Sequence, residues 1–197
     1  MGVSFQVVRV HVDETPRPGE DPLALARRLS QAKAGAAANA HGVILAADTV
    51  VVVDDTLLGK PRDAAEATAM LRMLRNRWHH VYTAVTLLDR TEGWEKTVVE
   101  GSRVHLRDYS DDDIAEYVAS GDPLDKAGGY AIQHAIFAPV DRVEGCGANV
   151  MGLPVATVTC LLRECGIVVP VQPPAVCKPV LGHCCWKNTA RQEDIGA

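Results

Sequence analysis

The sequence predicts an α/β chain in which helices flank a mixed β-sheet. Three observations lead there. Valine-rich extended runs recur, as at Val50–Val53, and branched β-carbons suit a pleated, buried surface. Other stretches carry apolar residues every three or four positions and open on capping residues. The two kinds of element are mixed rather than strictly alternating, which points to an α/β or α+β fold around a mixed sheet.

In order, residues 4–12 alternate loosely and predict a first strand, followed by a loop over Asp13–Gly19. Asp21-Pro22 opens a helix: Asp caps it, and Pro is tolerated at the first helical position. Leu25, Leu29, Ala32 and Ala36 give its apolar face. Val43–Ala47 reads as a short buried strand and Val50–Val53 as the start of another. Asp54-Asp55 is turn chemistry, so 50–58 reads as a hairpin. A second helix opens at Asp63, with Glu66 completing a capping box and Ala67, Met70, Leu71 and Leu74 as its core stripe. Two long extended runs follow, His80–Leu88 and Glu95–Leu106, with His79-His80 read as the start of a strand whose neighbours face opposite sides. Ser110 with Asp113 repeats the capping signature, and Ile114, Tyr117 and Val118 face inward until Gly121. Ala135–Val143 predicts a strand. Pro154–Cys165 predicts a last helix, stopped by Gly166, with Cys160 and Cys165 as small core residues. Residues 1–166 thus form one domain. Residues 167–197, with four prolines and no period, read as a poorly packed tail.

The bulk numbers narrow the function. The 197 residues and 47% apolar content suit one domain with a real core. A net charge of −5 argues against a nucleic-acid partner held by a basic surface, though not against a small phosphorylated ligand. No run is long enough to span a bilayer, and the first residues lack a secretory pattern. Six cysteines without CxxC spacing suggest a reduced, cytoplasmic protein. His183-Cys184-Cys185 with Cys177 fits no strong zinc pattern.

The informative residues are polar ones that interrupt apolar structure. In AADTVVVVDDTLLGKP (46–61), Asp48-Thr49 sits between two strand-like runs and Lys60 ends the hairpin. Asp125-Lys126-Ala127-Gly128-Gly129-Tyr130 lies between a helix and a strand, with Gln133 beyond it. Glu14 and Lys33 come from the first loop and helix. Together they offer carboxylates, lysines and a glycine loop that lets backbone approach a ligand. A polyphosphate ester needs that combination. Lysines neutralise phosphate oxygens, carboxylates hold Mg²⁺, and one carboxylate activates water. From spacing alone each element also has a plainer reading. Asp48 caps a turn or pairs with a lysine, Lys60 is a solvated hairpin end, and Gly128-Gly129 is a loop needing unusual dihedrals.

Five segments carry a family resemblance: 12–34, ILAADTVVVVDDTLLGKPRDAAEATAMLRML (44–74), HHVYTAV (79–85), YVASGDPLDKAGGYAIQ (117–133) and VEGCGANVMGLPV (143–155). They resemble the Maf-like nucleoside triphosphate pyrophosphatases over about residues 4–166. The resemblance implies a mixed-sheet α/β fold with a central cleft. It also implies hydrolysis of a nucleoside triphosphate to the monophosphate and pyrophosphate with a divalent cation, Mg²⁺ or Mn²⁺. Carried over by position, it implies Asp48 as proton acceptor, Thr49 and Gln133 in base preference, and Lys33, Lys60, Asp125 and Lys126 against substrate. Glu14 and Asp48 would serve the metal. The ADT and AIQ forms resemble the branch that prefers dTTP and UTP, with some modified pyrimidine nucleotides. Family members have been linked to restraint of septum formation, and a homodimer is common among them.

The family's opening strand and SxSPRR loop would lie before Met1. The resemblance therefore implies an N-terminally truncated fold, a phosphate site without its arginine fork, and reduced activity. His134 stands where the family usually has glycine, which crowds the backbone near the base. Cys146-Gly147-Ala148 stands where an acidic and aromatic pair is usual. The alternative from a different class is a catalytically impaired nucleotide-binding or cell-division regulatory remnant.

Overall fold

The computed structural model describes residues 1–37 and 42–181. Its sheet has five strands in the order β2-β1-β3-β4-β5. They are β1 Val43–Val53, β2 Thr56–Leu58, β3 Trp78–Asp89, β4 Trp94–Leu106 and β5 Val140–Glu144. The α/β class with flanking helices is as expected, and among the described strands every pairing is antiparallel rather than mixed.

The two strands predicted across 43–53 are one. β3 pairs with β1 without a break from Val43 to Val52, so Asp48 and Thr49 sit inside a ladder rather than between strands. The hairpin is as predicted: Asp54 and Asp55 both take positive φ, 43° and 62°, which a two-residue turn of this hand requires and Asp tolerates. β2 pairs only with Val51–Val53. Among the described residues, no strand lies along that edge of β1 from Val43 to Val50.

Helix α1 is Pro22–Ala36, and the Asp21 carboxylate accepts from the Leu23 and Ala24 amides. It buries Leu25, Ala26, Leu29, Ser30 and Ala34, so the predicted stripe is right at Leu25 and Leu29 but rotated away from Ala36. The stripe includes Ser30 because its hydroxyl donates to Arg27 O or Thr86 Oγ1, 3.0 and 2.8 Å away, which makes burial tolerable. Helix α2, Ala64–Leu74, buries the four residues its pattern predicted. Its capping box is half formed. Asp63 accepts from the Glu66 amide, while the Glu66 carboxylate turns to Arg62. Helix α3, Asp111–Ala119, has the full reciprocal box between Ser110 and Asp113. Short helix α4, Gly147–Val150, precedes α5, Val155–Glu164, and α6, Pro173–Leu181.

One face of the sheet carries Val51, Val53, Val81, Val104 and Leu106 against Met70, Leu71 and Leu74 of α2 and Ile114 and Tyr117 of α3. Val85 and Leu87 continue it under Val158, Leu161 and Leu162 of α5. On the other face α1 packs Leu25, Ala26 and Leu29 on Val50 and Ala84. Each fully buried leucine contributes about 1.5–3 kcal/mol to this packing.

Four expectations need correction. Residues 4–12 form no strand, and Phe5 and Val7 are exposed. The strand predicted at 135–143 is confined to β5, since Ala138 takes a φ of 40° and Arg107 draws the Phe137 and Ala138 carbonyls out of any ladder. Cys160 is exposed rather than a core residue, while Cys165, at the end of α5, is half-buried and packs against the Val158, Leu161 and Leu162 cluster as expected. Part of the expected loose tail packs: Val169, Pro173 and Cys177 are buried, the latter two on α6. The rest of that tail, with His183-Cys184-Cys185, lies outside the described residues.

Candidate active site

The open edge of β1 is where the cavity lies. It holds about 520 Å³ and is lined by Glu14, Lys33, Asp48, Thr49, Lys60, Asp125, Lys126 and Gln133, all eight residues singled out from the sequence. Adjacent residues on a strand point to opposite faces. Asp48 faces α1 and Thr49 faces away from it, so the cavity wraps around the strand edge.

On the α1 side, Lys33 in the last turn of the helix bridges two carboxylates. Its Nζ lies 2.6 Å from Asp48 Oδ1 and 2.7 Å from Glu14 Oε1. The Asp48 side chain is 9% exposed and that of Glu14 49%. Burial pushes the Asp48 carboxyl above the usual carboxylate range, against the pull of Lys33 and Lys60. The hydrogen bond from Lys33 holds Glu14 below it. Burial works against the charge on Lys33, but its two carboxylate partners outweigh that and raise it. Lys60 follows β2 and stands before Pro61 and α2.

The loop from Asp125 to Gln133 closes the cavity from the α2 side. Gly128 donates its amide to Gly59 O at 3.0 Å, tying the loop to the hairpin end. Its φ is 72°, and a Cβ there would stand 3.2 Å from Val51 Cγ1, so both dihedral and space call for glycine. Lys126 Nζ donates to Asp125 Oδ1 at 2.6 Å, to Asp122 O at 2.8 Å and to Asp122 Oδ1 at 3.1 Å. Its charge is thus balanced within the loop, unlike the Lys33 bridge between elements. The Tyr117 hydroxyl donates to Asp122 Oδ2 at 2.6 Å and accepts from the Ala131 amide at 3.1 Å, bracing the same loop from α3. His134 turns its ring toward α3 and the Phe137 amide. Its ring lies edge-on to Tyr117, and its Nδ1 accepts from the Phe137 amide.

Several lining or supporting residues escaped the sequence reading. Tyr130 lines the cavity and its hydroxyl meets His79 Nε2 at 2.7 Å; burial pushes that imidazole down to about 4, so it is neutral. Val150, Met151 and Gly152 line the cavity from α4 and the turn after it. Behind them Asn149 is fully buried and donates to Val81 O and Ser102 Oγ. The signal was the GANVMG stretch itself, a polar residue between small ones.

Among the described residues no three carboxylate, histidine or cysteine side chains gather into a cation cage. Glu14 and Asp48 share one charged centre, held by the Lys33 ammonium. Such a pair fits a hard cation that keeps its waters and arrives with phosphate ligands.

Fold and cleft together define an α/β protein with a charged cleft at a sheet edge. A family model for Maf-like protein matches residues 1–165. The chain is 42% identical over 187 residues to the dTTP/UTP pyrophosphatase of Thermomicrobium roseum, covering 93% of this chain and 85% of that protein. It is 44% identical over 172 residues to the dTTP/UTP pyrophosphatase of Myxococcus xanthus, covering 86% of each. It is 47% identical over 148 residues to that of Carboxydothermus hydrogenoformans, covering 74% and 80%. The chain belongs to the Maf-like protein family.

Proposed function

We propose that this protein is a nucleoside triphosphate pyrophosphatase that hydrolyses dTTP and UTP, with modified pyrimidine nucleotides as further substrates, to the monophosphate and pyrophosphate. The observation that carries it is the meeting of Glu14, Lys33, Asp48 and Lys60 in one cleft, in a chain whose relatives are named for that activity.

Asp48 is the proton acceptor. Water attacks the α-phosphorus, its proton passes to the carboxylate, and the bond to the oxygen bridging the α- and β-phosphorus breaks as pyrophosphate leaves. Burial makes Asp48 a stronger base than a solvated carboxylate. Lys33 donates to Oδ1, leaving Oδ2 for the water. Lys60 and Lys126 meet phosphate charge, Asp125 orients Lys126, and Thr49 and Gln133 contact the base. Glu14 and Asp48 would hold Mg²⁺ or Mn²⁺, which supplies charge neutralisation at the phosphates. The same reading sets the enzyme in the cytoplasm as a homodimer, which light scattering tests. No described helix is long and apolar enough to cross a membrane.

The experiment is pyrophosphate release from dTTP and UTP with Mg²⁺, for this chain and Asp48→Asn. Loss of a general base predicts a drop of about 10²–10⁴ in kcat. Equal rates would remove Asp48 from the mechanism. Nucleotide binding without turnover by the unmutated chain would favour the impaired, regulatory reading instead, a reading the relatives' names do not favour.

A further inference from the structure

Thr49 lines the cleft beside Gly152, where a Cβ would stand 3.5 Å from Thr49 Oγ1. Its hydroxyl does not act alone. Thr49 Oγ1 is 2.8 Å from Thr83 Oγ1, and Thr83 Oγ1 is 3.0 Å from the backbone oxygen of Asn149. Thr83 is fully buried.

The direction of this chain follows from proton counting. The Asn149 carbonyl can only accept, and it already takes the Gly152 amide on one lone pair at 2.9 Å. Two oxygens 3.0 Å apart with no proton between them repel, so the single Thr83 proton lies toward Asn149. The remaining lone pairs of Thr83 then face Thr49, and the Thr49 proton fills that gap. Thr49 therefore presents lone pairs to the cleft and no proton. Asn149 keeps its carbonyl in place because its side-chain amide is bonded to Val81 O at 2.9 Å and Ser102 Oγ at 3.0 Å.

We propose that Thr83, anchored on Asn149, is a specificity-positioning residue that locks the Thr49 hydroxyl as an acceptor. The cleft then favours a base edge offering a ring N–H, the imide of uracil or thymine, over cytosine, whose ring nitrogen at that point is itself an acceptor. This rests on the pyrimidine nucleotide reading above and adds a cause for the choice of base. A buried acceptor left facing an acceptor rejects the wrong ligand more strongly than a matched pair attracts the right one.

The test measures calorimetric binding of UMP, CMP and N3-methyl-UMP, with kcat/KM for the matching triphosphates. Proteins are the unmutated chain, Thr83→Val and Thr83→Ser. For the unmutated chain, UMP should bind tighter than CMP and N3-methyl-UMP by about tenfold or more, the weight of one neutral hydrogen bond plus an unpaired partner. Thr83→Val frees the Thr49 proton to turn into the cleft. The UMP-to-CMP affinity ratio should then fall about tenfold, with KM moving more than kcat. Thr83→Ser keeps the relay and should keep the ratio, which a merely structural role for the side chain would not predict. Equal binding of UMP and N3-methyl-UMP by the unmutated chain overturns the proposal, whether or not Thr83→Val folds. So does an unchanged ratio in a folded Thr83→Val. Discriminating binding without any pyrophosphate release would instead sink the hydrolase reading while leaving the relay standing.

Discussion

Lys33→Met removes the ammonium between Glu14 and Asp48 while keeping most of the bulk of the stem. The two carboxylates respond differently. The Glu14 side chain is half exposed and rehydrates; that of Asp48, 9% exposed, cannot. Removing one partner of a fully buried pair costs about 3–5 kcal/mol. Lys33 is itself 23% exposed, and Asp48 escapes part of the penalty by taking up a proton, so about 2–3 kcal/mol is expected at pH 7. For a chain of this length that lowers Tm by about 4–12 °C. The pH dependence has a definite sign. Burial already holds Asp48 above its ordinary value of 3.8, and loss of Lys33 raises it further. A carboxyl raised in the folded state binds protons more tightly there than when unfolded. The stability of the variant therefore climbs as pH falls from 7 through that raised value, and its deficit shrinks. Glu14 acts in the same sense. Lys33 holds it below 4.5, so in the unmutated chain its contribution is present above 4.5 and lost as pH falls through the lowered value. Urea denaturation at pH 7 and pH 5 reads the Asp48 effect, and a further series carried below about pH 4.5 reads that of Glu14. Adding Asp48→Asn to Lys33→Met removes the stranded charge and should recover most of the loss. A deficit under about 0.5 kcal/mol at pH 7, or one that grows on acidification, would refute the reasoning.

Two further substitutions probe the loop from Asp125 to Gln133. Gly128→Ala forces a Cβ into a left-handed backbone 3.2 Å from Val51 Cγ1, costing about 1–2 kcal/mol. Thermal denaturation should register that loss, and KM should rise with kcat nearly unchanged as the loop shifts off Gly59. Tyr117→Phe strips the Ala131 amide and Asp122 of their partner, a loss of about 1–3 kcal/mol. Chemical denaturation checks it, and a variant as stable as the parent would show that the hydroxyl does not brace the loop.

What the sequence made legible was local. Caps and stripes lie within a few residues of one another, so α2 could be read to its four buried positions and α3 to its capping box. The polar pair at Asp48-Thr49 looked like a break because a strand interior with a carboxylate is costly in isolation. The ladder to β3 and the ammonium of Lys33 both come from elsewhere in the chain. Residues 4–12 alternate loosely as a strand would, but join no ladder, and alternation alone does not say which segments will pair. The eight cleft residues were found as polar interruptions that matched a family pattern, and they do share one cavity. The contacts behind them were invisible. His79 meets Tyr130 across 51 residues and Thr83 meets Asn149 across 66, and a buried histidine or threonine in a β pattern resembles any strand residue.

On the proposed reading, the shortness of β2 lets one cleft serve two chemistries. Inside a sheet, neighbours such as Asp48 and Thr49 are separated by the sheet itself, and no single ligand touches both. Among the described residues, β2 stops pairing at Val51 and no other strand pairs with the edge where those two residues stand. A nucleotide lying across that edge, as proposed, meets the Lys33–Asp48 pair on the α1 side, and on the other the Thr49 hydroxyl with the Asp125–Gln133 loop that carries Lys126. By the same reading, the hairpin turn at Asp54-Asp55 helps set the geometry of the site: a longer β2 would cover the edge where Asp48 and Thr49 stand and part the two faces of the cleft.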